Sequence, residues 1–180
     1  MELTPEFVQQ LQELLDKQAI RDTLARYARG LDRVSPEIAD TAFHDVSWDY
    51  HGAFSGSGHD FLFNAPRAEI WQSDANVITH HTMATSTITV DGDLADSETY
   101  FIAAGIRVAD GQRRMYQMWG RYLDKFERGE GGWRIRVRKA VIDLSAEWPE
   151  GDPWVSEPDY PKGGRWPDDE VFTMAELKAP

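Results

Sequence analysis

The chain has 180 residues, 41% of them hydrophobic and 12% aromatic, enough for one domain with a sizeable core but short for two. It contains no cysteine, which excludes a disulfide framework, a thiolate nucleophile and zinc–cysteine sites. A formal charge of −12 argues against general affinity for nucleic acid or an anionic membrane, since both require a positive footprint. The opening MELTPEF has neither a basic nor an apolar leader region, and no apolar run is long enough to span a bilayer. The expectation is a soluble, cytoplasmic protein.

Thr4-Pro5-Glu6 signals a helix start, with a hydroxyl at the cap and proline at the first helical position. From there Leu11, Leu14, Leu15, Ile20, Leu24, Tyr27, Ala28 and Leu31 recur at spacings near three and four, the stripe of an amphipathic helix. Glu13 with Lys17, and Asp22 with Arg26, add four-apart ion pairs in the favourable order. Ser35-Pro36-Glu37 opens a second, short helix running to about Phe43, and a short strand pair is expected around Val46 to Ser55. A third helical stretch is expected around His59 to Gln72, started or kinked by Pro66.

The period then changes. Residues 77–90, 94–108, 112–127 and 132–144 read as strands. Asp91-Gly92 and Asp110-Gly111 mark tight hairpins between them, and Gly129-Glu130-Gly131-Gly132 a looser third. After Asp143 periodicity ends in a stretch rich in proline and carrying Trp148, Trp154 and Trp166. Aromatic side chains of that size normally pack on something. The expected organisation is one domain over 1–145, followed by an extension, 146–180, packed on that domain or on a neighbouring subunit. Helices followed by an antiparallel meander describe an α+β domain, with helices covering one face of a curved sheet.

Three segments carry a family resemblance: LLDKQAIRDTLARYARGLDR, THHTMATSTITVDGDLADSETYF and GRYLDKFERGEGGWRIRVRKAVID. In this order and spacing they resemble the SnoaL-like branch of the NTF2-like superfamily over roughly residues 10–145. The resemblance implies a cone: a curved antiparallel sheet with helices packed on its concave face and a pocket at the open end. That superfamily holds polyketide cyclases, dehydratases, a dehydrochlorinase, aldehyde-releasing lyases, dioxygenase small subunits and non-catalytic binders, so the fold alone licenses no function.

Its eliminating members commonly set an Asp from the first long helix beside a His from the sheet, often with a Tyr. By that resemblance Asp32, His81 and Tyr27 are the catalytic candidates. Alternation does not choose between His80 and His81, because both faces of 80–90 are mixed and a bulge would reverse either assignment. The position of His81 ahead of the Asp91 hairpin favours it by resemblance, with His80 facing away. Each candidate has a plainer explanation. Asp32 lies between Arg29 and Arg33 as a surface charge would, although a carboxylate is disfavoured at a helix C-terminus. A lone strand histidine is more often a satisfied core residue, and Tyr27 shares the buried stripe of Leu24 and Leu31.

Trp48, Tyr50, Trp71, Tyr116, Met118, Trp119 and Arg121 are expected to line the pocket, with Phe54 widening its apolar wall. They point collectively to a bulky, partly aromatic small molecule. No phosphate loop, dinucleotide fingerprint or nucleophile elbow is present, and His44, His51 and His59 lack the spacing of metal ligands. The expectation is therefore a cofactor-free, metal-free lyase that eliminates water or an aldehyde such as formaldehyde by His/Asp acid–base chemistry. The alternatives are an isomerase or polyketide-type cyclase using the same base, and a non-catalytic ligand binder or dioxygenase small subunit. A homo-oligomer, dimer or trimer, is expected.

Overall fold

A computed structural model of the chain describes residues 3–65, 68, 72, 77–151 and 163–174. Helix α1 spans Pro5–Asp32, capped by the Thr4 side chain, which accepts from the Phe7 N–H. Its second half is buried through Ile20, Leu24, Tyr27, Ala28 and Leu31, whereas Leu11, Leu14 and Leu15 are exposed, so the apolar stripe meets the sheet only over its later turns. Two polar anchors fix the crossing. The buried Asp16 accepts from Trp133 Nε1 at 3.0 Å and pairs with Arg128 at 2.6 Å, and Thr23 Oγ1 donates to the Trp133 carbonyl.

Helix α2, Pro36–Asp40, follows at once, so close that a Cβ on Gly30 would lie 2.7 Å from the Ala39 methyl. Then come β1 (Phe43–His51), β2 (Phe54–Gly56), α3 (Gly58–Phe63), β3 (Ile78–Asp91), β4 (Leu94–Ala109), β5 (Gln112–Gly129) and β6 (Gly132–Pro149). The sheet order is β2-β1-β6-β5-β4-β3, six strands in an open curve with helices on the concave face. Phe43, Phe101, Tyr122, Phe126, Trp133 and Ile135 pack there against α1. Among the described residues no helix is long and apolar enough to cross a membrane.

Two features depart from expectation. The sheet is not wholly antiparallel: β1 runs parallel to β6. Short turns force antiparallel pairing in the meander, but β1 and β6 are far apart in sequence and no hairpin dictates their sense. Strand β6 also continues past residue 145 to Pro149, pairing Arg114 with Pro149, so the meander extends into the segment expected to lie outside the domain. Gly163–Met174 lies at the end of α1, where the Trp166 N–H donates to the Arg33 carbonyl and Arg29 stands over the Phe172 ring. Residues 152–162, including Trp154, fall outside the described residues, as does Pro66 in the expected third helix.

Candidate active site

Helix α1 ends at Asp32 in a left-handed turn. Val34 takes φ 52°, the Ser35 N–H donates to the Gly30 carbonyl and the Val34 N–H to that of Leu31. This is the Schellman arrangement, with a β-branched residue in a position that normally favours glycine. The turn holds Asp32 facing β3. Its Oδ2 accepts the backbone N–H of His81 at 2.7 Å, and Oδ1 lies 2.6 Å from His81 Nδ1. An ionised carboxylate only accepts, so Nδ1 carries the proton and Nε2 is left for the cavity. The His81 and Asp32 side chains are 12% and 8% exposed, shielded but accessible to a small molecule.

The face question at 80 and 81 is resolved by a register shift between Met83 and Ser86. Before it, odd residues Thr79, His81 and Met83 face inward; after it, even residues Ser86, Ile88 and Val90 do, and His80 is exposed. A single bulge thus explains why neither alternating face reads as uniformly apolar.

His81 opens on a cavity whose walls include Leu31, Leu62, Phe101, Ala103, Met118 and Ile142. Polar groups are few: His51, Thr79, His81 and Tyr122. Thr79 Oγ1 is buried without a hydrogen-bond partner. Burial pushes the Tyr122 phenol up to about 12, so it stays protonated at neutral pH and can donate a hydrogen bond.

Behind Tyr122 lies a buried polar row across three strands. Asp49 on β1 is the register partner of Arg138 on β6, and Arg138 that of Asp124 on β5. Arg138 donates to both Asp124 oxygens, at 2.8 and 2.7 Å, and is sandwiched between the Tyr27 and Tyr122 rings at 4.3 and 3.9 Å. Burial disfavours its charge, but Asp124 beside it outweighs that and holds the guanidinium protonated.

Of the expected site residues, His81 and Met118 line the cavity, and Asp32 stands behind His81, bonded to its ring. Tyr27 does not reach it. Its ring is fully buried, edge-on to Phe43 and Tyr122, and its hydroxyl is sealed in the core without a partner. Trp48 and Tyr50 face outward, 44% and 47% exposed. Trp119 and Arg121 alternate with Met118 and Tyr122 on the outer face, where Arg121 pairs with Glu98 and Asp143. Tyr116 shares the Met118 face but packs over Gly105, beyond the cavity lining. Trp71 lies outside the described residues.

On β1 the apolar side is the outer one, contrary to the expectation that Trp48 and Tyr50 line the pocket. Val46, Trp48 and Tyr50 are the solvent side, and Ser47, Asp49 and His51 point in, toward Arg138. The polar alternation Ser47-Asp49-His51 was the available signal.

Residues 12–139 match the SnoaL-like domain family. The chain belongs to that family. Its fold resembles hexachlorocyclohexane dehydrochlorinase LinA type 2 at 15% identity and a TM-score of 0.64, over 84% of this chain and 99% of that one. A protein provisionally assigned as a scytalone dehydratase, from Novosphingobium aromaticivorans DSM 12444, gives 18% identity and a TM-score of 0.64 over 77% of this SnoaL-like chain and 91% of its own. From the same organism, the β subunit of a provisionally assigned aromatic-ring-hydroxylating dioxygenase gives 24% identity and a TM-score of 0.55 over 74% and 92%. At these identities the likeness concerns the fold. No curated protein matches the chain significantly.

Proposed function

We propose that this SnoaL-like protein is a lyase that eliminates water or an aldehyde from a bulky, hydroxylated, largely apolar small molecule. The observation that carries the reading is the 2.6 Å contact between His81 Nδ1 and Asp32 Oδ1, with His81 at the wall of a largely apolar cavity. Asp32 fixes the tautomer and supports the imidazolium that forms, so Nε2 acts as a base toward the cavity. It takes a proton from carbon, whose electron pair forms the new double bond as the carbon–oxygen bond breaks; for aldehyde loss it takes the hydroxyl proton and a carbon–carbon bond breaks instead. The protonated Tyr122 phenol and the unpartnered Thr79 hydroxyl are suited to hold a substrate carbonyl or hydroxyl. Aromatic walls from Phe61 and Phe101 support an aromatic substrate.

The test is a screen of β-hydroxy carbonyl and aryl-diol compounds with the purified chain, followed by product mass. Loss of water or of an aldehyde supports the reading. An isomerised product of unchanged mass would convert it to proton shuttling by the same base, and no turnover of any compound would overturn it.

A further inference from the structure

The cavity holds a second imidazole that the His81–Asp32 chemistry leaves unused. His51, the last residue of β1, stacks on Phe61 of α3 at 4.5 Å between ring centroids and lines the same cavity. Its Nδ1 is buried and lies 3.5 Å from Oδ1 of Asp49, two residues earlier on the same inward face. Asp49 is 0% exposed, and neither of its carboxylate oxygens accepts a hydrogen bond. A buried carboxylate with both oxygens unsatisfied is costly, and it persists where it supports a charge or a proton nearby.

The charges around it identify which. Asp49 from β1, Arg138 from β6 and Asp124 from β5 form the buried row, in which Arg138 donates through Nε and Nη2 to both oxygens of Asp124 and its Nη1 makes no hydrogen bond. Asp49 is thus a second carboxylate beside a guanidinium already engaged by Asp124. The other titratable groups packed around the row, Tyr27 of α1 and Tyr122 of β5, are phenols pushed upward by burial and bring no charge at neutral pH. His51 is the group whose Nδ1 faces Asp49, which leaves Nε2 for the cavity that the ring lines. His81 of β3 also faces that cavity, but its own proton is engaged by Asp32.

We infer that His51, supported by Asp49, is a second catalytic residue, the general acid that protonates the departing oxygen. The inference rests on the elimination proposed above. An elimination of water needs two proton transfers at different atoms, and a second imidazole in the cavity lets a separate group serve each. His81 Nε2 removes the proton from carbon; the carbon–hydrogen pair becomes the double bond, the carbon–oxygen pair goes to oxygen, and His51 Nε2–H supplies the proton that makes it water. Afterwards His81 is protonated and His51 is not, and exchange with solvent resets both. Loss of an aldehyde requires the same two transfers, the second to the carbon left behind.

The test uses the full chain with 15N-labelled histidine, together with a hydroxylated substrate from the screen and its acetate ester. Circular dichroism confirms that each variant is folded. By NMR at one pH, Asp49→Asn should change the His51 ring-nitrogen signals and leave those of His81 in place, and Asp32→Asn should do the converse. In turnover, His51→Gln should slow loss of water by roughly 10²–10⁴-fold and remove the alkaline limb of the pH profile. The acetate ester needs no proton to leave, so it should restore His51→Gln toward the wild type but not His81→Gln. Unchanged His51 ring-nitrogen signals in Asp49→Asn, or a His51→Gln defect equal for alcohol and ester, would overturn the inference. Wild-type turnover with an unaffected His51→Gln overturns this inference alone, whereas no wild-type turnover overturns the elimination and this inference with it.

Discussion

At the scale of single residues, the Asp32–His81 pair behaves as one chemical unit. Asp32 spends one oxygen on the His81 backbone N–H and the other on the ring, so it sets both the position and the tautomer of the imidazole. His81→Ala should lower kcat by roughly 10²–10⁴-fold, and Asp32→Asn should approach it. The double variant should be little worse than the poorer single one, because residues that act as a unit are not additive. His80→Ala is the control: His80 is exposed and lies on the other face of β3, so turnover on the substrate found by the screen should be unchanged. A defect in His80→Ala equal to that of His81→Ala would mean that the strand, not the imidazole, is being measured.

At the scale of elements, hairpins were legible in the chain and faces were not. Asp91-Gly92 and Asp110-Gly111 dictate their turns because residues there adopt positive φ: Gly92 at 60°, Asp110 at 53° and Gly111 at 73°. Face assignment failed wherever a strand put polar groups inward, as on β1, or changed parity at a bulge, as on β3. Periodicity assumes that the inner side is apolar, and a polar site inside a cone violates that assumption. The Asp32–His81 meeting came from resemblance; no spacing along the chain brings residues 49 apart together.

The C-terminal segment makes a prediction at the same scale. Asp169 is buried, which pushes its carboxyl up, yet the Gly164 and Val171 N–H groups and the charges of Arg33 and Arg29 more than offset this and hold it below the usual range. A depressed carboxyl contributes stability that is fully present above its unfolded value and is lost as pH falls through the folded one. Acidification below about pH 4 should therefore loosen residues 163–174 from the end of α1. Hydrogen exchange at the Trp166 N–H, which donates to the Arg33 carbonyl at 2.7 Å, reports it, and Asp169→Asn should give the same acceleration at neutral pH. Protection at Trp166 that is unchanged by either treatment would show that the segment is held by its aromatic contacts alone.

For the molecule as a whole, the buried row sets stability against function. Asp124 and Asp49 flank the same guanidinium on neighbouring strands, but only Asp124 is hydrogen-bonded to it. Removing one partner of a buried, hydrogen-bonded pair leaves an uncompensated charge, so Asp124→Asn should cost about 3–5 kcal/mol in urea denaturation. Asp49 makes no hydrogen bond although it is fully buried. Asp49→Asn keeps the shape and removes a carboxylate neither of whose oxygens is hydrogen-bonded, so it should be neutral or stabilising by about 1 kcal/mol, the scale of an unsatisfied buried polar group. Activity should move the other way, because the same substitution removes the charge that supports the His51 proton. A variant more stable and less active than the wild type marks a residue kept for its chemistry at the expense of the fold. Equal destabilisation by Asp49→Asn and Asp124→Asn would instead make Asp49 a structural counter-ion of Arg138, and the row would then be part of the core and no part of the site.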